Sequence, residues 1–385
     1  MTLSEDNDVA LKLLHTADWH LGRRFQSFDE GDRQTLARAR LHVLDKILLV
    51  ADQRGADAIL CAGDLFDEPG PDRDWWEPVA RKLAMMRTHR PVFLLPGNHD
   101  PLMPGSVYHP DHAFRRALPD WAHVIDRDDY SFALNDVAVL HARPCRSRAG
   151  QDDPALALPG RESGDERIRI GLVHGSTFDA VDCQTNFPIA KEAAALRGFD
   201  YLAIGDTHSF RAVPPGGRPP VVYPGAPEAT TFGEPDAGNV VAVFVSRSRR
   251  VRFEAERVSY WTWAERTIRS LAELRELRSD TRLSCQVIRL ILDMSVSAPE
   301  LEECETILRE LKGTASSQGR VGILQLDRRR LVLDTRDIET QLARLPDVLR
   351  ATVARLKAME SEDQAEVARA ALCHLYKLAR EAGVS

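Results

Sequence analysis

No stretch of the chain approaches the roughly 18 uninterrupted apolar residues that a membrane-spanning helix needs. The sequence therefore predicts no membrane association through such a span. Positive charge is not in excess either. Lys and Arg number 51 against 58 Asp and Glu, a formal net charge of −7, which excludes a generic polyanion binder and leaves any nucleic-acid contact to local basic patches. The six cysteines, Cys61, Cys145, Cys183, Cys285, Cys304 and Cys373, include no C-x-x-C pair and no zinc-type spacing. They are assigned no disulfide and no metal. Met1 to Asp8 carries Glu5, Asp6 and Asp8 where a secretory leader would carry positive charge, and this predicts a cytoplasmic protein. Disorder is excluded by the 43% hydrophobic content beside 28% charged residues, an ordinary globular balance.

A length of 385 residues exceeds one average domain and predicts two or three. Over the first two-thirds, short apolar runs alternate with amphipathic segments. Leu11–His15 reads as a strand, Arg33–Gln53 as a helix stopped by Gly55, Ala58–Ala62 as a strand, Glu77–Thr88 as a helix and Val92–Leu95 as a strand. This alternation argues for a layered α/β sheet with helices on its faces. Val137–Leu140, Ile168–Val173, Tyr201–Ile204, Val221–Tyr223 and Val240–Val245 continue the strands with less helix between them, which predicts a second, more antiparallel sheet. Arg143–Arg167, polar and rich in Pro, Gly and Asp, reads as a long surface loop, and Pro214–Gly217 as a turn. From Trp263 the pattern changes to a small α+β module: helix Ala264–Leu277, strand Cys285–Leu292, helix Pro299–Leu311 and two strands within Val321–Leu333. From Arg336 the chain reads as helix broken at Pro346, with Ser361 and Gln364 as a capping box.

Asp and His fall in a telling place relative to these strands. Asp18-Trp19-His20, Gly63-Asp64, Gly97-Asn98-His99-Asp100, His174-Gly175 and Gly205-Asp206-Thr207-His208 each sit just past the end of an apolar run. Ligands of open α/β sheets bind at that edge, where loops converge on rigid strands. Any one cluster is ordinary, since a Gly-Asp after a strand is usually a turn. Together they supply imidazole, carboxylate and amide oxygens, a donor set suited to Mn²⁺, Fe²⁺ or Zn²⁺. Several such ligands around one carboxylate can hold two metals that clamp the oxygens of a phosphoester.

In these motifs the sequence resembles the calcineurin-like metallophosphoesterases. Leu14-His15-Thr16-Ala17-Asp18-Trp19-His20-Leu21-Gly22, Ala62-Gly63-Asp64-Leu65-Phe66-Asp67 and Pro96-Gly97-Asn98-His99-Asp100 are similar to the SbcD-type DNA repair exonucleases. The resemblance implies an α/β (α+β) protein. Its two-sheet β-sandwich, flanked by helices, would be followed by a small α+β capping domain and C-terminal helices. Residues 1–262 would be the nuclease domain, 263–335 the capping and DNA-recognition domain, and 336–385 helices that dock a partner ATPase. Two divalent ions are implied, Mn²⁺ first, with Mg²⁺, Fe²⁺ or Zn²⁺ as alternatives. By motif, Asp18, His20 and His208 bind the first metal, Asp64 bridges, and Asn98, His174 and Asp206 bind the second. His99 faces the scissile phosphate and helps the leaving oxygen depart, and Asp100 orients His99. The family's last motif is usually Gly-His-x-His, and here Asp206 replaces the first histidine with a shorter, harder, anionic ligand. The implied partners are DNA, an SbcC-like coiled-coil ATPase and a second copy in a homodimer. The implied activity is DNA phosphodiester hydrolysis, exonuclease or endonuclease, in repair or in defence against foreign DNA.

Arg23 and Arg24 follow the first motif and are candidates to steer a phosphate backbone toward the metals. Arg247, Arg249, Arg250 and Arg252 alternate along a strand–turn–strand stretch, and Arg328 to Arg330 form a second run; such runs are usually solvated faces. Two rival functions remain. One is the same chemistry on a small-molecule or protein phosphoester. The other is a non-catalytic scaffold of the same fold, to which Asp206 alone points.

Overall fold

A computed structural model describes residues 8–178, 185–314, 317–318, 321–334 and 347–359, with a few positions between 367 and 378. The chain divides into two compact units, Met1–Thr262 and Trp263–Ser385.

The first unit is a sandwich of two six-stranded sheets. One sheet runs β14 (Val251–Arg257), β13 (Asn239–Ser246), β1 (Val9–Thr16), β2 (Ala58–Cys61), β3 (Val92–Leu94) and β4 (Ala122–Val124). The other runs β11 (Arg211–Val213), β12 (Val221–Tyr223), β10 (Tyr201–Gly205), β7 (Ile168–His174), β6 (Ala138–Ala142) and β5 (Tyr130–Asn135). A two-stranded pair, β8 (Ser176–Phe178) with β9 (Pro188–Ala190), stands apart.

Strand alternation builds two cores at once. Leu11, Leu13, Leu60 and Phe93 turn toward the second sheet and meet Leu140, Ile170, Leu172 and Ala203. Leu14, Ile59, Cys61, Val92 and Leu94 turn the other way, onto Val43, Leu44 and Ile47 of α1 (Glu30–Gln53) and Val79 and Leu83 of α2 (Arg73–Ala84). Both faces are covered, so the strands read as unbroken apolar runs. Trp75 and Trp76 pack against this second core, edge-on to His112 in the case of Trp76.

Several expectations need correction. The second sheet is no more antiparallel than the first. β6–β7, β7–β10 and β10–β12 are all parallel, as are β1–β2, β2–β3 and β3–β4. Parallel neighbours need long crossovers, and here the 143–167 segment supplies one without a helix. It is also no mere surface loop, since its Ala155 and Leu158 are buried against Leu202, Ile204 and Ile189. Helix α2 starts at Arg73 rather than Glu77, accommodates Pro78 internally and ends at Ala84. Short helices α3 (Ala113–Ala117) and α4 (Ala193–Arg197) complete the unit.

The second unit has a three-stranded sheet of β15 (Thr262–Ile268), β16 (Gln286–Val296) and β19 (Ile323–Leu333), with α5 (Leu271–Ser279) and α6 (Ala298–Lys312). A small hairpin joins β17 (Gly313–Thr314) to β18 (Ser317–Gln318), and α7 spans Asp347–Met359. Residues 264–268 form strand, not helix. The helix opens only at Ser270, whose hydroxyl accepts from Glu273 N while Glu273 accepts from Arg269 N, an S-x-x-E cap that fixes the start. β19 is one strand rather than two; the polar Asp327–Arg330 run mimics a turn but forms an irregularity within the strand, with Asp327 paired to Ile291 and Arg330 to Asp293. Cys183, Pro346, the Ser361–Gln364 capping box and Cys373 lie outside the described residues. Cys61, Cys145, Cys285 and Cys304 are free thiols. Among the described residues no helix is long and apolar enough to cross a membrane.

Candidate metal centre

The turns after β1, β2, β3, β7 and β10 meet at one pole of the sandwich. The pairing of β1 with β2 continues into them: Asp18 N–H donates to Gly63 O (3.0 Å), His20 N–H to Asp64 O (3.0 Å) and Leu21 N–H to Leu65 O (2.9 Å). The second sheet is tied in by His174 Nδ1 on Ala62 O (2.8 Å) and by Asp206 N–H donating to Asp18 Oδ1 (3.1 Å). Asp18, His20, Asp64 and Asp206 adopt φ of 55°, 43°, 52° and 107°. Left-handed backbone costs a non-glycine residue of order 1–3 kcal/mol, and such strain gathers where function over-determines geometry. Gly97 is required by close approach, because a Cβ there would lie 2.1 Å from Asp64 Oδ1.

Three histidines share one device. His20 Nδ1 lies 3.0 Å from Asp67 Oδ1, His208 Nδ1 2.7 Å from Glu234 Oε1, and His174 Nδ1 2.8 Å from Ala62 O. Each of these oxygens can only accept, so each imidazole in its neutral form carries its proton on Nδ1 and turns Nε2 inward as the free ligand atom. The inward atoms crowd together. His20 Nε2 and His208 Nε2 are 3.1 Å apart, His20 Nε2 is 3.8 Å and His174 Nε2 3.4 Å from Asp64 Oδ2, and His174 Nε2 is 2.7 Å from Asn98 Oδ1. Lone pairs facing lone pairs repel unless a cation sits among them. Oxygen partners on Nδ1 are also how metal-bound histidines are usually oriented.

The electrostatics agree. Burial pushes the Asp18 carboxyl up to about 7 and raises Asp206. Burial works the same way on Asp64, but His174, His20 and His99 outweigh it and hold that carboxyl below its ordinary range. His174 rises despite burial, because Asp64, Asp18 and Asp206 face it. Burial lowers His20 to about 4, which keeps it neutral. A pocket that raises two carboxyls and also raises His174 and His208 is short of positive charge, and a divalent ion would supply it. The donors fit such ions: Asp18/His20/His208, His20/Asp64/His99 and Asp18/Asp64/His174 each bring ligand atoms within 4.8 Å of one another.

Asp18, His20, Asp64, Asn98, His174 and His208 are thus brought together. Asp206 stands at the rim, its Oδ1 3.8 Å from His174 Nε2. His99 is 41% exposed, with its ring edge-on to His20 at 4.7 Å. Asp100 does not orient it. Asp100 is buried with its carboxylate turned away from the centre, accepting from Gly97 N (2.8 Å), Phe66 N (2.9 Å) and the Tyr108 hydroxyl (2.8 Å). It organises the loops instead, and burial beside Asp64 lifts its pKa to about 8. The residue facing His99 is Asp67, whose carbonyl is 3.2 Å and whose Oδ1 3.8 Å from His99 Nδ1. Arg23 reaches the same Oδ1 at 3.3 Å, while Arg24 is exposed beside Glu68 at 3.9 Å.

Sequence reading missed Asp67, Glu234 and Thr230. Asp67 lies within the Ala62–Asp67 motif, three residues after Asp64, and that spacing was its available signal. Glu234 and Thr230, whose hydroxyl donates to Glu234 Oε1 at 2.6 Å, lie in a loop without motif. Arg40 anchors that loop from α1, donating to Trp19 O and Ala229 O, both at 2.7 Å. Because Asp67 serves both His20 and His99, Asp67→Ala should cost roughly 10–100-fold in metal affinity or turnover, the usual effect of losing an outer partner. Metal titration beside steady-state rates checks this; unchanged values for both would remove Asp67 from the site.

Strained turns at the strand ends of a helix-flanked sandwich thus carry a His/Asp/Asn set able to hold divalent metal ions. The model of the calcineurin-like phosphoesterase family matches residues 11–210, and the chain belongs to that family. It is 25% identical over 270 residues to the uncharacterized metallophosphoesterase YhaO of Bacillus subtilis, covering 67% of this chain and 63% of the relative. It is 33% identical over 196 residues to the D component of the nuclease SbcCD of Rhodobacter capsulatus, covering 49% and 45%. To the corresponding SbcCD component of Escherichia coli K12 it is 27% identical over 272 residues, covering 58% and 62%. The chain thus spans about half to three-fifths of the length of these relatives.

Proposed function

We propose that the chain is a two-metal DNA phosphodiesterase, the nuclease partner of an SbcC-like coiled-coil ATPase. The observation that carries the two-metal reading is the convergence of three histidine Nε2 atoms on buried Asp18 and Asp64. Likeness to components of the SbcCD nucleases of Rhodobacter capsulatus and Escherichia coli supports DNA as the substrate. In this reading Asp18, His20 and His208 hold one ion, Asp64 bridges, and Asn98, His174 and Asp206 hold the other. Bound ions would activate the attacking water and neutralise charge on the phosphate. His99, the exposed imidazole at the mouth, passes a proton to the leaving oxygen. Arg23 and Arg24 approach the phosphate backbone, residues 263–335 recognise DNA, and residues 336–385 dock the ATPase. The resident ion is Mn²⁺, favoured by the anionic Asp206 over softer choices.

The test is cleavage of single-stranded and duplex oligonucleotides beside a chromogenic phosphodiester, with Mn²⁺ and with chelator. DNA cleavage that needs Mn²⁺ is expected. Cleavage of the small ester alone, even with the ATPase present, would give the function to another phosphoester. Asp206→His, which removes one negative charge and restores the usual family ligand, should shift the most activating ion from Mn²⁺ toward Zn²⁺ or Fe²⁺. If the metal preference of Asp206→His is unchanged, Asp206 is not a ligand.

A further inference from the structure

The pole of the sandwich opposite the metal centre carries a cleft of about 810 Å³. Its position follows from the strand directions. Asp200 immediately precedes β10, whose far end leads to Asp206, so the two sites stand roughly 20 Å apart at about 3.3 Å per strand residue. Arg249 and Arg250 lie in the turn between β13 and β14, beside the N-terminal end of β1, where Ser246 pairs with Val9. The Gly216–Pro219 segment before β12 brings Arg218 to the same cleft.

Three arginines therefore line one concavity on a chain whose net charge is −7. Opposing charge is already engaged. Asp200, the one acidic residue of the lining, accepts from Arg161 Nη2 at 2.8 Å and from Arg169 N at 2.9 Å. Among the described residues, the carboxylate paired with Arg249 is that of the exposed Glu166, at 3.7 Å. Among the described residues, Arg218 and Arg250 have no carboxylate within ion-pair distance, and both are exposed. Guanidinium forks match phosphate oxygens bidentately. Between them the cleft presents flat apolar surface from Phe253, Pro219 and Val251. Its volume is that of a small-molecule site, too small for a duplex.

We propose that this cleft binds a nucleotide carrying more than one phosphate, with the phosphates on Arg218, Arg249 and Arg250 and the base against Phe253 and Pro219. The site is separate from the metal centre, so occupancy does not depend on the metal ligands.

The test is equilibrium dialysis of labelled ADP against the full chain, the Arg218→Glu/Arg250→Glu double variant and Asp64→Asn. One ADP per chain is expected on wild type and on Asp64→Asn, with affinity at least tenfold weaker in the double variant. Both arginines are exposed, so the double variant should keep the wild-type melting temperature. Should it fail to fold, Arg218→Gln and Arg250→Gln singly must each weaken ADP. Pyrophosphate should compete less well than ADP. The proposal is overturned if wild type takes up no ADP at millimolar concentration, if binding disappears in Asp64→Asn but survives the arginine changes, or if pyrophosphate competes as well as ADP.

Discussion

Asp64→Ala should abolish phosphodiester cleavage, with a loss well beyond the roughly 10–100-fold typical of an outer partner. The Asp64 carboxylate stands between the two halves of the centre, Oδ2 being 3.8 Å from His20 Nε2 and 3.4 Å from His174 Nε2, while Oδ1 accepts from His99 N at 2.9 Å. In the proposed two-ion arrangement its removal would take a charge from both ion positions and loosen the turn that carries His99. The fold should survive, because Asp64 lies past the end of β2 and outside the two apolar cores. Rates with Mn²⁺ beside a circular-dichroism melt decide the matter. A folded Asp64→Ala protein with near-wild-type turnover would remove the bridging role.

His99→Ala should behave differently, keeping its metal and losing turnover by about 10²–10⁴-fold, the range for a general acid. His99 is the exposed histidine of the centre, and its Nδ1 faces Asp67 rather than an acceptor deep in the pocket. His20, His174 and Asp18 are fully buried by contrast. Elemental analysis beside kcat separates the outcomes. A metal-depleted His99→Ala protein would make His99 a ligand, a role its proximity to His20 and Asp64 permits.

Much of this centre was legible because its ligands sit in local signals: a Gly-Asp or Gly-Asn-His turn just past an apolar strand states turn chemistry and donor chemistry together. Gly97 shows the link, since only a residue without Cβ lets Asp64 approach. Asp67 and Glu234 were hidden because their partners, His20 and His208, lie 47 and 26 residues away in the chain. Asp100 was misread for the converse reason. Adjacent residues in a tight turn point in different directions, and Asp100 turns into the loop while His99 turns outward. In the fold, strand positions were readable from apolar runs, but pairing direction was not. The 143–167 crossover contains no helix, so the signal that usually announces parallel neighbours was missing. At β15 the Ser270–Glu273 cap marked the true helix start and went unread, and the polar residues of β19 imitated a turn.

Metal stoichiometry tests the proposed two-ion centre most directly. The wild-type chain, stripped with chelator and titrated with Mn²⁺ under dialysis, should bind two ions per chain, and phosphodiesterase activity should return as the second site fills. Saturation at one ion, or activity that persists in the stripped protein, would contradict the account.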